Sequence, residues 1–241
     1  MVNKPTSRTA GKKANGPTPN RLTEVRIVAA AMQIADSEGL EAISMRRIAG
    51  SLGSGTMSLY RHVSGKEQIL DMLLEEAYGE ISVPDAPSGN WKQDLCDLAR
   101  QTRAVLKRHW WLGPLLTARP TFGQNYLCWF EFQLAAVGLA CFDIETRVRA
   151  IGTLFAYVVG VVGYELGEEE TNRRHNLTPE LKREIATPRL GPILATGRYP
   201  NLALFVELGG GDPTDADFEF GLKCVLDGIA AHIAPDLGRS I

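Results

Sequence analysis

The stretch 43–66, ISMRRIAGSLGSGTMSLYRHVSGK, constrains this chain more than any other. Ile48 with Leu52, and Leu59 with Val63, are two apolar pairs one helical turn apart, each able to anchor a short helix. Gly53 between them supplies the positive φ that a sharp turn needs. Ser44 is placed to cap the first helix, 45–52, and Ser64 with Glu67 has the spacing of a capping box that starts another. The second helix, from 55 or 56 to 62, spends only Leu59 and Val63 on a core. Thr56, Met57, Ser58, Tyr60, Arg61 and His62 are left facing outward or flanking. Helices this short are marginal alone, so the flanking segments must supply the rest of the core.

Both flanks do. Residues 23–37 read as a helix with Thr23 as N-cap, an apolar stripe of Ile27, Ala30, Ala31, Ile34 and Ala35, and Gly39 as a left-handed end. Leu40 and Ile43 turn back into the same core. After Lys66, a further helix carries Ile69, Leu70, Leu73, Leu74, Ala77 and Ile81 on one side. The result is a three-helix unit over 21–71, with a connecting helix to about 82. VPDAPSGN at 83–90 is a linker-like break. Helical periodicity then predicts helices near 91–108, 112–117, 122–140, 144–167, 179–187 and 214–233, with Asp143 as an N-cap and Thr178-Pro179 as an N-cap and N1 pair. Residues 168–176 read as a charged loop and 209–213 as another break. No alternating β pattern of useful length occurs. The expected fold is all-α, with a small N-terminal helix-turn-helix unit and a larger helical domain over 90–241. Residues 1–20, rich in Lys, Thr, Pro, Asn and Gly and without an acid, read as a disordered basic arm. It could touch phosphate or the minor groove, or serve only as a solubilising tail.

The net charge is −2. Residues 1–71 hold ten Lys and Arg against six acids, a net of +4, which leaves −6 for the rest. A basic front on an acidic body fits a head that binds a polyanion and a body that avoids it. Chance asymmetry is the plainer alternative. The four cysteines form no C-x-x-C pair or metal-ligand spacing and read as mostly buried small hydrophobes in a reducing cytoplasm. No metal or cofactor is expected. The first twenty residues lack the apolar run of a signal peptide. The longest uncharged apolar run, 151–164, is short of the roughly 20 residues a membrane span needs.

A helix that enters a major groove needs a buried anchor side and a short polar face with hydrogen-bonding tips. Thr56, Ser58 and Arg61 are suitable for base edges, and Met57 for a thymine methyl. Tyr60, His62 and Lys66 are placed to reach phosphates, and Ser44 at a helix N-terminus adds donors. No single residue is specific, but the pattern of spacing, turn and caps is.

That pattern resembles the DNA-binding domain of the tetracycline-repressor (TetR) family. The resemblance rests on the Ala-Asp-Ser-Glu-Gly helix end at Gly39, the Ser-Met-Arg-Arg-Ile-Ala run from Ser44, Leu52-Gly53, the Ser-Leu-Tyr-Arg-His-Val run from Ser58, and Lys66 to Leu70. More weakly, 218–228 resembles the last helix of the family's C-terminal domain. The resemblance implies a homodimer whose two heads read a palindromic double-stranded operator. It implies that Thr56, Met57, Ser58 and Arg61 face bases, and that Ser44, Arg46, Tyr60, His62 and Lys66 hold phosphates. It implies a dimer interface on the last two long helices, here with Gly152, Ala156, Gly160 and Gly163 on one and Leu222, Val225, Leu226 and Ile229 on the other. Packing within one subunit is the other role open to the small residues.

A body that releases DNA on binding a small-molecule effector needs a cavity. The aromatics of 109–164 cluster, and His109, Trp110, Trp111, Phe122, Asn125, Tyr126, Trp129, Gln133 and Phe155 are the candidate lining. An aromatic stripe at helical spacing can equally be core, and His109 can equally lie on the surface at a helix end. The histidine and polar set that holds a metal-bound drug in the tetracycline repressor itself cannot be placed on this sequence. A tetracycline is therefore not the expected ligand, and the aromatic composition of the body points to an apolar or aromatic effector. G-x-S-x-G, H-E-x-x-H, P-loop and G-x-G-x-x-G motifs are absent, which argues against an enzyme. A cysteine redox sensor and a ligand-independent DNA-binding protein are the remaining alternatives.

Overall fold

The computed structural model describes residues 22–119, 122–208 and 213–233. The expected basic arm 1–20, and all of the break 209–213 except Pro213, lie outside them. Among the described residues the chain is helical without strands. The head consists of α1 (Glu24–Glu38), a 3-10 turn (Leu40–Ala42), α2 (Met45–Ser51) and α3 (Thr56–Leu59), and α4 (Lys66–Gly79) leads into the body. The body comprises α5 (Trp91–Arg108), α6 (Leu112–Ala118), α7 (Gln124–Gly138), α8 (Ile144–His175), α9 (Pro179–Leu194), α10 (Pro200–Glu207) and α11 (Asp215–Ile233).

The head's core is the predicted one. Ile27, Ala31, Ile34, Ala35, Ile43, Ile48, Leu59, Val63 and Ile69 are all buried. The Thr23 and Ser44 side chains accept from Arg26 N and Arg47 N, capping α1 and α2. Gly39 has positive φ, but its ψ of 172 is extended, so it is not a left-handed helical cap. The Ser64 box does not form. Gly65 is the N-cap of α4 without a side-chain cap, and the Ser64 N–H instead donates to Gln68 Oε1 at 2.6 Å. Glutamine one position further along reaches the backbone that Glu67 was expected to reach, while Glu67 turns to Arg119.

In the body, α8 packs against α5, α7 and α11, and α4 packs against α7 and α6. The expected charged loop 168–176 is instead the last turns of a 32-residue α8. Glu170 pairs with Arg173 and Arg174 at i+3 and i+4, a spacing that stabilises helix. Asn176 then ends the helix in the left-handed conformation. Helix α9 runs past the predicted 187 to Leu194 through Pro188 and Pro192, and α10 was not expected at all. By length and composition α8 could cross a membrane. Here one side of it is the spine of a helical body, with Ile151, Leu154, Val158 and Val162 buried.

Candidate nucleic-acid interface and effector cavity

Helix α3 is anchored by Leu59, which is fully buried. Its approach is set by Gly53, whose φ of +61 makes the turn after α2. Met57 and Tyr60 are exposed, as are Arg61, Lys66, Ser44 and Arg46, while Thr56, Ser58 and His62 are half-buried. Regular α-helix stops at Leu59, short of the predicted 62, and Tyr60 to His62 continue as a turn. Arg46, Arg61 and Lys66 make no ion pair among the described residues, whereas neighbouring Arg47 is held by Glu38 of α1. Three exposed cations, on α2, after α3 and at the start of α4, thus have no ion pair among the described residues.

The corner between α5 and α6 ties this head to the body. His109 is buried, with Nδ1 2.6 Å from Asp36 Oδ1 and Nε2 2.9 Å from Glu80 Oε1. Trp111 Nε1 donates to Asp36 Oδ1 at 2.7 Å, and Trp110 Nε1 donates to the Asp36 carbonyl at 3.0 Å. The Trp110 ring lies over Gly39, where a Cβ would sit 2.9 Å from its edge. Three consecutive side chains therefore grip the end of α1. His109, Trp110 and Trp111 do not line the aromatic cavity, and His109 is not a surface residue. Their partner Asp36 is 73 positions from His109, so no local pattern shows the contact.

The cavity lies deeper, between α4, α6, α7 and α8. A cleft of about 250 Å³ is lined by Tyr78, Leu116, Arg119, Tyr126, Trp129, Phe130, Ile151 and Phe155, among others. A second, small void of about 20 Å³ shares Tyr78, Leu116 and Phe155 with it and is lined also by Ala77, Ile81, Thr102, Val105, Leu106 and Leu112. Tyr78 meets Tyr126 edge-on at 5.2 Å, Trp129 meets Phe155 edge-on at 5.7 Å, and Tyr126 stacks on Phe130 at 5.9 Å. Burial pushes the Tyr78 phenol well above its ordinary range, so its hydroxyl stays neutral. Of the expected lining, Tyr126, Trp129 and Phe155 are present. Phe122 instead lies exposed in a separate groove beside Val25, Asp71 and Met72. Asn125 ties α7 to α4, its amide nitrogen donating to the Glu75 carbonyl at 3.0 Å. Gln133 is buried and donates to Trp129 O within its own helix.

Sequence reasoning missed Tyr78, Arg119 and Thr102. Tyr78 was legible, since it continues the Leu70, Leu74 series at i+4. Arg119 caps the end of α6 and also lines the cleft. Its Nε and Nη2 donate to Asp71 Oδ1 at 3.2 and 2.8 Å, and Nη1 pairs with Glu67. The Glu67 hydrogen bond, ahead of the Asp71 one, raises the guanidinium further above its ordinary value. One side chain thus touches both the cavity and the helix that carries the head.

Along α8, Gly152, Ala156, Gly160 and Gly163 are exposed, and nothing lies within 4 Å of a Cβ built on any of the three glycines. Gly152 also borders the cleft. Leu222, Leu226 and Ile229 are buried inside the subunit, where α11 packs on α8 and α5, and Val225 is half-buried. The face that α11 turns outward carries Phe220, Cys224 and Gly228 instead. Two of the four cysteines, Cys128 and Cys224, are exposed rather than buried as expected.

Two family models match the chain. "Bacterial regulatory proteins, tetR family" covers residues 27–73, and "Tetracyclin repressor-like, C-terminal domain" covers 83–233. The chain is 39% identical over 233 residues to the HTH-type transcriptional repressor DrrR1 of Streptomyces coeruleorubidus, spanning 96% of this chain and 86% of that protein. It is 29% identical over 220 residues to the class E tetracycline repressor of Escherichia coli, spanning 88% and 93%. Among solved structures, Streptomyces coelicolor ActR in complex with actinorhodin superposes with a TM-score of 0.69 at 27% identity, covering 89% of this chain and 98% of that one.

Proposed function

This chain belongs to the tetracycline-repressor family of bacterial regulatory proteins, and from that membership we propose that it is a cytoplasmic, homodimeric repressor released from a palindromic operator by an apolar or aromatic effector. Family members are transcription factors, not enzymes, and bind operators, dimerise and bind small molecules. The observation that carries the reading is the aromatic cleft walled by Tyr78 of α4, the helix that bears the head. A ligand complex of the similarly folded ActR supports a ligand in this body.

In this reading Thr56, Met57, Ser58 and Arg61 face bases, and Ser44, Arg46, Tyr60, His62 and Lys66 hold phosphates. The outward glycine stripe of α8, with the outward face of α11, forms the twofold interface. Helices α9 and α10, which bury no residue in the subunit, offer it further apolar surface. Effector in the cleft displaces Tyr78 and Arg119, and with them α4. The two recognition helices then no longer match half-sites about 34–36 Å apart. Release requires the effector to favour the non-DNA conformation, so the antagonism is reciprocal.

Fluorescence anisotropy with a palindrome from the chain's own upstream DNA against a scrambled duplex tests the head. Arg61→Ala should erase the preference between the two, while Lys66→Ala should weaken both alike and lower the salt slope by about one. Equal effects would sink the division into base and phosphate contacts. For the body, Leu116→Trp fills the cleft and should keep operator binding. Compounds that raise the wild-type melting temperature should then neither stabilise the variant nor release it from DNA.

A further inference from the structure

We propose that the groove between the start of α1, α4 and the start of α7 holds the chain's own basic N-terminal segment, residues 1–21, when the head is off DNA. Protein carboxylates and DNA phosphates then compete for the same cations. The proposal concerns the head and does not rest on the effector cleft.

The groove has a volume of about 460 Å³, and its walls combine two chemistries. Val25 and Phe122, large apolar side chains, are 78% and 79% exposed there. Four carboxylates stand among them, Glu24 on α1 and Asp71, Glu75 and Glu76 on α4, and no Lys or Arg lines the groove. Asp71 is taken by Arg119 from outside the groove, and Glu75 accepts from Asn125 N at 2.6 Å. Glu24 and Glu76 are exposed and have no ion pair among the described residues. A concave wall of one sign focuses its field on an approaching cation.

Apolar walls set with carboxylates are complementary to lysine and arginine, whose aliphatic stems lie on apolar surface while their heads reach a charge. The chain supplies such a segment next to the groove. Residues 1–21 hold Lys4, Arg8, Lys12, Lys13 and Arg21 and no acid. They join the described chain at Leu22, two positions before Glu24 of the groove. The nine residues from Lys13 to Leu22 can span up to about 30 Å, ample for a groove between packed helices with axes about 8–10 Å apart. Tethering by a short linker gives an effective concentration in the millimolar range. Exposed ion pairs worth less than about fivefold each then suffice to seat the segment. A separate basic protein or a small cation would have to reach that concentration in solution. Seated in the groove, the segment lends no charge to chance contacts with DNA. A duplex engaged by the head draws its cations over to phosphate.

Tryptic cleavage after Arg8, Lys12 and Lys13 of the full chain, followed by mass spectrometry, reads the docking. A labelled synthetic peptide of residues 1–21 in the same tube is the standard for an unprotected segment. At about 50 mM salt the chain should be cut at least about fivefold more slowly than the peptide, and at about 0.5 M equally fast, because exposed pairs are screened. Glu24→Gln with Glu76→Gln should abolish the protection at low salt. Glu24 also lies in the first turn of α1, where its charge supports the helix. Glu76→Gln alone, which leaves that turn intact, should therefore already weaken the protection. The double change should also raise affinity for a scrambled duplex. The rise should be about threefold larger in the wild-type chain than in one carrying Lys4→Gln, Arg8→Gln, Lys12→Gln and Lys13→Gln, where only the lost acids count. A segment cut as fast as the peptide at low salt, protection that survives the double change, or an equal rise in both backgrounds overturns the proposal. Protection that grows with protein concentration assigns the groove to the segment of another copy and overturns docking within one chain.

Discussion

His109 sits between two carboxylates from different parts of the molecule, Asp36 near the end of α1 and Glu80 just past α4. Its two ring nitrogens lie within hydrogen-bond distance of one carboxylate each, and Arg108 pairs with Glu80 as well. Removing the ring leaves two carboxylates and the Trp111 N–H around a void. His109→Ala should therefore destabilise the chain by roughly 2–4 kcal/mol, from the lost packing of a buried ring and the hydrogen bonds it shares with Asp36 and Glu80. Urea denaturation of this variant, Asp36→Ala and the double variant checks it. The double should cost clearly less than the two singles together, and strict additivity would mean that the contact contributes nothing. Legibility at this scale followed distance along the chain. Ser44 and Thr23 were readable because a cap and its partner are three residues apart. His109, Trp110 and Trp111 were misassigned to the cavity because aromatic composition cannot distinguish a ring that walls a void from one that grips another helix. The cap expected at Ser64 failed because Gln68 competes for the same backbone group.

The helices were legible where burial sets their period and less so where charge does. Helix α5 came out with its predicted bounds, since its apolar side alternates cleanly with a charged one. The end of α8 was missed because 168–175 has no apolar stripe to read and is held as helix by ion pairs on its own surface. In α9 and α10, which pack on each other and bury nothing, sequence pattern had no core to report. The exposed side of α8 is the more telling case. Gly160 is helical, exposed and has nothing near its Cβ position. A helix interior loses about 0.5–1 kcal/mol at a glycine relative to alanine, and a subunit acting alone has no use for that loss. Close approach of a second α8 would explain it. Gly160→Arg should then convert the dimer to monomer in analytical ultracentrifugation, with far-UV circular dichroism unchanged. Gly160→Ala tests the alternative. If the stripe only faces water, alanine raises the melting temperature and leaves association alone.

At the scale of the whole molecule, cavity and head communicate through few contacts. Tyr78 and Arg119 border the cleft, and Arg119 in turn holds Glu67 and Asp71 near the start of α4. Glu67 and Asp71 do not line the cleft, so they can be altered without touching the ligand. Glu67→Gln with Asp71→Asn keeps their size and removes both ion pairs. Each pair is partly exposed, so little stability should be lost. What should change is coupling. Effectors and DNA in such systems oppose each other about 5- to 150-fold, and the double variant should reduce that ratio several-fold while binding effector normally in the absence of DNA. Removing two acids beside the head also raises affinity for any duplex, but this cancels when operator binding is compared with and without effector in the same variant. An unchanged ratio would mean that the signal reaches α4 by other contacts, Tyr78 or the Asn125–Glu75 hydrogen bonds. A ratio near one would make Arg119 the main link. Because linkage is reciprocal, effector affinity measured with and without saturating operator must give the same factor.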